Sequence, residues 1–207
     1  MQLIDLLWRD LDRMMRSGAR PIDILVDASV WVVITYRLGR AFQGMPRLLR
    51  LPASYAHKPL ELFVGLLARV ALPPSAEVGG GLRLCHTGGI RVAADTYIGR
   101  DCELAEGVTI AASGGSPWIG DRVQLGPGAR IVGPVRVGND AAIGPNAVVE
   151  TDVPDGVTVA GVPARVVAGS GSRGRLVPGR QRPALLDVLR GMVRAFLPRP
   201  TQLLLRS

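Results

Sequence analysis

Aliphatic residues recur at every sixth position from Ile119 to Val149, through Leu125, Ile131, Val137 and Ile143. Glycine follows four of the six, as Gly120, Gly126, Gly138 and Gly144, and Val123, Ala129, Val135, Ala141, Ala147 and Val153 stand four places after successive members of the series. Neither an amphipathic helix nor an alternating strand repeats with period six, whereas a parallel β-helix with three short strands per coil does. Successive coils then stack like residue on like residue about 4.8 Å apart. Upstream, Val78, Leu84 and Ile90 keep the step, the phase slips by two, and Val92, Ile98, Leu104 and Ile110 resume it. Cys102, four after Ile98, occupies the small inward position. Ile110 and Ile119 are separated by nine residues instead of six, which predicts a loop extruded at a corner across Ala111 to Trp118.

The flanks follow a different pattern. Leu3, Leu6, Leu7, Leu11 and Met14 mark an amphipathic helix over residues 2–16, interrupted by Gly18 and Pro21. A second apolar stretch from Ile22 to Phe42 reads as a helix by its length, although it is rich in β-branched residues. A loop with Gly44, Pro46 and Pro52 follows, and Pro59 opens a third helix with Leu60, Phe63, Leu66, Leu67 and Val70 on one face. That helix stops at Pro73-Pro74, which places the domain boundaries at 1–73, 74–167 and 168–207. The last segment combines a Gly, Ser and Arg rich linker from Ala168 to Gly179 with a short amphipathic helix after Pro183. That helix either lies on a membrane, caps the open end of the prism or packs on the N-terminal helices.

Composition narrows this picture. Hydrophobic residues make up 47% of the 207 positions but aromatics only 4%, which suits a narrow prism filled by Val, Ile, Leu and Ala. No apolar run reaches the roughly 20 residues that span a bilayer, and the start lacks a signal-peptide pattern. The expected location is therefore cytoplasmic, with peripheral contact at the inner face of the membrane as an option. The net charge of +8 divides into roughly +4 for residues 1–73, −3 for 74–167 and +7 for the tail. A prism without a basic stripe is a poor nucleic-acid reader.

Only two histidines are present. A zinc site between prisms needs three per site, so no metal is expected, but one imidazole is enough for a general base. His86, before the Gly88-Gly89 corner, is the candidate; His57, two residues ahead of Pro59, reads as a helix-start residue. From Leu72 to Val167 the chain resembles the serine O-acetyltransferase branch of the hexapeptide acyltransferases, including relatives thought to acetylate sugars in polysaccharide pathways. The resemblance is carried by Cys85-His86-Thr87-Gly88-Gly89-Ile90, Ile119-Gly120-Asp121, Leu125-Gly126-Pro127-Gly128-Ala129 and Ala160-Gly161-Val162-Pro163-Ala164-Arg165.

The resemblance implies an all-β parallel left-handed β-helix with an N-terminal α-helical region and a short C-terminal helix. It also implies a homotrimer and acetyl-CoA in the groove between neighbouring prisms, near Gly126, Pro127, Gly144, Pro145, Gly161 and Arg165. The family's catalytic histidine falls on His86. Where serine acetyltransferases carry an aspartate before that histidine, a second aspartate upstream and an Arg-His pair in the extruded loop, this chain has Cys85, Ala71 and Gly115-Ser116. Cys85, Gly115 and Ser116 are thus the expected acceptor contacts. A site without those charges cannot offset the desolvation of an ammonium and a carboxylate. The expected acceptor is therefore a hydroxyl of a sugar or polysaccharide precursor, with serine O-acetyltransferase and a non-catalytic trimeric scaffold as alternatives. Asp95 or a backbone carbonyl is left to orient His86. Sequence neighbours on an extended segment face opposite ways, which argues against Cys85 as a nucleophile.

Overall fold

The computed structural model describes residues 2–16, 27–85 and 88–173. Among these residues three helices come first: α1 (Gln2–Arg16), α2 (Ala28–Gln43) and α3 (Arg47–Ala68). Asp27 caps α2, its side chain accepting from the Ser29 N–H at 2.8 Å, a residue type that satisfies an otherwise orphaned helix N–H. The expected lead-in from Ile22, the Gly18 and Pro21 break and the helix after Pro183 all lie outside the described residues.

α3 departs from the expected loop and helix start. Pro52 and Pro59 both lie inside it, exposed and seven residues apart, so the carbonyls they leave without a helical partner face outward, where water reaches them. His57 therefore does not start a helix; it is buried mid-helix, with its ring edge-on to Phe42 at 5.5 Å. The helix ends earlier than expected. Arg69 adopts the left-handed conformation at φ 54° and its N–H returns to the Gly65 and Leu66 carbonyls, a common stop for a helix. The first solenoid strand then begins at Val70, before the expected boundary at 74.

The strands form three parallel sheets along the faces of a prism. Sheet one holds β1 (Val70–Ala71), β4 (Ile90–Val92), β7 (Thr109–Ala111), β10 (Arg130–Val132) and β13 (Val148–Val149). Sheet two holds β2 (Glu77–Val78), β5 (Tyr97–Ile98), β8 (Trp118–Ile119) and β11 (Arg136–Val137). Sheet three holds β3 (Arg83–Cys85), β6 (Glu103–Ala105), β9 (Gln124–Leu125), β12 (Ala142–Ile143) and β14 (Thr158–Ala160), closed by antiparallel β15 (Arg165–Ala168). The hexad aliphatics stack inward in register, as Leu104 on Leu125 and Ile110 on Ile131. The phase slip is absorbed inside β4, where Ile90 pairs with Val70 on one side and Val92 with Ile110 on the other. Cys102 is buried at its predicted inward place.

At the N-terminal end the first coil would expose unpaired backbone groups, and the helices supply their partners. The Asp10 carboxylate accepts from the Gly81 and Leu82 N–H groups and from Arg37. Arg37 also donates to the Val78 and Gly79 carbonyls at 2.6 Å each, Arg13 donates to Gly81 at 2.6 Å, and the Tyr36 hydroxyl donates to Ala76 at 2.7 Å. At the other end the expected linker is held from the start: Ser172 donates from its N–H to Asp140 O and from its hydroxyl to Arg122 O.

Candidate functional site

Each coil turns at three corners, and the turn between sheets three and one carries most of the predicted site. His86 and Thr87 belong to this turn by sequence, between β3 and β4, and lie outside the described residues. Gly88 and Gly89 complete it. Coil by coil the same corner is built by Gly107, by Gly126 to Gly128, by Gly144 to Asn146 and by Gly161 to Ala164. Backbone hydrogen bonds tie these turns into a column: Gly107 N–H to Gly88 O, Gly128 N–H to Glu106 O, Asn146 N–H to Pro127 O and Val148 N–H to Gly161 O, all 2.7–3.0 Å. Gly89, Gly107 and Gly128 take φ near +70°, which a side chain would strain. The predicted cofactor residues, scattered over forty positions, therefore share one edge of the prism. Pro127, Pro145, Gly161 and Arg165 are exposed along it.

Gly115 and Ser116 are elsewhere. They sit between β7 and β8 at the corner joining sheets one and two, and so does Asp95, between β4 and β5. Within one chain the extruded loop and Asp95 stand on a different edge from the His86 turn.

Cys85 does border that turn, but it is half-buried and its thiol is engaged. Sγ donates to Glu103 Oε1 at 3.0 Å, and Glu103 in turn meets Arg83 at 3.2 Å and lies 4.0 Å from the fully buried Arg13 of α1. Burial, with the Glu103 carboxylate, pushes the Cys85 pKa up to about 12. A thiol so held is neither a nucleophile nor a charged acceptor ligand.

Three charged side chains that belong to no sequence motif surround a cavity of about 690 Å³ between α2, α3 and the first strands of sheet one. Glu61, Arg69 and Arg91 line it together with Ala71 and Gly89, so it abuts the His86 turn. No ion pair among the described residues engages these three. Arg91 aligns with Thr109 and Thr109 with Arg130 across β4, β7 and β10. This outward row puts two exposed guanidinium groups beside the glycine column. Only coil register brings Arg91 and Arg130 together, so no local motif reveals them.

A family model described as bacterial transferase hexapeptide, six repeats, matches residues 116–151. A serine acetyltransferase of Mycobacterium tuberculosis is 36% identical over 52% of this chain and 49% of its own length, so the chain spans about half of that relative. The Helicobacter pylori serine acetyltransferase is 30% identical over 70% of this chain and 84% of its own. Among solved structures, Neisseria gonorrhoeae serine acetyltransferase in complex with serine superposes with TM-score 0.69 and 28% identity, covering 81% of this chain and 69% of that one. A serine acetyltransferase complex with CoA gives TM-score 0.69 and 29% identity over 80% and 69%. The prism is the left-handed β-helix of this acyltransferase fold. None of these relatives is a sugar O-acetyltransferase, which removes the support expected for a polysaccharide acceptor.

Proposed function

The chain belongs to the serine acetyltransferase family of hexapeptide-repeat transferases, and from that membership we propose that it moves an acetyl group from acetyl-CoA to the hydroxyl of serine. The observation that carries this reading is the continuous similarity to the Helicobacter pylori enzyme over 84% of that enzyme's length. Serine replaces the sugar acceptor expected from the missing charges, because those absent at Ala71, Cys85 and Gly115-Ser116 have substitutes nearby. Glu61 faces the acceptor's ammonium, and Arg69 or Arg91 its carboxylate, across the cavity that Ala71 lines.

Bound acetyl-CoA supplies an acetyl thioester activated for attack. The exposed column from Pro127 to Arg165 suits its extended chain, and Arg130 and Arg165 suit its phosphates. His86 takes the proton from the serine hydroxyl as the oxygen attacks, and returns it to the departing sulfur. Backbone N–H groups of a neighbouring turn face the oxyanion. No acyl-enzyme on Cys85 is involved. Gly115 and Ser116 stand on another edge, so they reach this site only from a neighbouring copy, and a homotrimer with acetyl-CoA between prisms meets that need.

Initial rates of CoA release with L-serine and with nucleotide sugars test the reading. L-serine is expected to turn over, with His86→Ala slower by about 10²–10⁴ and Glu61→Gln raising KM for serine more than it lowers kcat. Turnover of a nucleotide sugar with none of serine would overturn the serine assignment, and wild-type rates in His86→Ala would overturn the base.

A further inference from the structure

α3 carries its apolar side outward. Leu48, Leu51, Tyr55, Leu62 and Leu66 are 90, 58, 77, 66 and 81% exposed, and at 100° per residue they fall in one stripe along the whole 22-residue helix. The opposite side, with His57, Val64 and Ala68, is the buried one. The exposed stripe and its flanking leucines present roughly 1,000 Å² of apolar surface, well beyond the few hundred usual on a soluble monomer.

Two features specify what covers it. The stripe holds no acid: the helix's one carboxylate, Glu61, is half-buried in the wall of the cavity, and the stripe reaches that cavity only at its rim, through Leu62 and Leu66. Lys58 stands exposed along one edge, and the helix as a whole carries Arg47, Arg50 and Lys58 against that single acid. A second copy would bring two such unneutralised edges together, whereas a bilayer with anionic headgroups supplies both the apolar boundary and the countercharge. Pro52 and Pro59 sit on the same side and leave the Leu48 and Tyr55 carbonyls without helical partners. These carbonyls need water, so the helix belongs at headgroup depth and not in the hydrocarbon core. Among the described residues no helix is long and apolar enough to cross a membrane. We propose that α3 is an in-plane docking surface for an anionic lipid bilayer.

The test is flotation of the full chain with vesicles of phosphatidylcholine alone or with about one third phosphatidylglycerol, at low and high salt. Wild type is expected to float with the anionic vesicles, at least tenfold less with neutral ones, and less at high salt. Leu48→Asp with Tyr55→Asp is expected to abolish flotation while leaving the circular dichroism spectrum unchanged, and Lys58→Glu to weaken it. Absence of wild-type flotation, or flotation unaltered in the Asp variant because another segment carries it, would overturn the proposal. So would a halving of particle mass in the Asp variant in light scattering without vesicle binding by wild type, which would make the stripe a contact between copies.

Discussion

Cys85 illustrates how little a residue's identity says without its surroundings. The sequence places a thiol beside His86, and period two turns it to the opposite face, but its partner Glu103 lies eighteen positions on and is reached only by the next coil. With its pKa raised from 9.0 to about 12, Cys85 favours the folded state while it is protonated. That contribution is complete below pH 9.0 and drains away as pH climbs towards 12. Urea denaturation is therefore expected to show a steeper loss of stability across this alkaline range in wild type than in Cys85→Ala. Iodoacetamide at pH 8, followed by mass spectrometry, should leave Cys85 unlabelled in the native protein. Rapid labelling would show a thiolate that this environment does not allow.

At the scale of elements, the hexad period transferred almost unchanged into sheets because one residue type at each sixth position can satisfy only one face of a prism. Part of that face is a stack of glycines at the corner between sheets two and three. A Cβ on Gly99 would stand 2.6 Å from the Gly120 carbonyl carbon, whereas one on Gly169 would meet nothing within 4 Å. Gly99→Ala is expected to cost about 3 kcal/mol in chemical denaturation and Gly169→Ala close to nothing; equal effects would contradict the stacking. α3 resisted the same reading. Its helical spacing placed Leu60, Phe63, Leu66 and Leu67 on one face without saying where that face points, and all four are exposed. Both sides of this helix are apolar, so periodicity has no polar side to orient it. Small Ala68 and branched Val64 were chosen for the interior by the space beside β1.

At the scale of the molecule, the helices act as a plug that pairs the open backbone of the first coil, and charge does the pairing. Asp10 and Arg37 are 1 and 2% exposed. Burial raises the Asp10 pKa, while Arg37 and two backbone N–H groups pull it back. Arg37→Met removes the countercharge and strands the carboxylate, for an expected loss of about 3–5 kcal/mol. With the Asp10 pKa above its unfolded value, the loss should ease as pH falls through the folded pKa, because the variant carboxyl then folds neutral. Urea curves at pH 7 and pH 5 compare the two, and a pH-independent loss would rule out a stranded charge. By itself the sequence determined the solenoid, its inward residues and the corner of the glycine turns, because each follows from a short period in which neighbours in space are fixed multiples apart along the chain. Only the tertiary structure decided that the loop with Gly115 and Ser116 stands on another edge, that Glu61, Arg69 and Arg91 meet around one cavity, and that α3 faces outward. Those relations join the helices to the coils across irregular separations, where no repeat dictates which side chains meet and packing alone selects them.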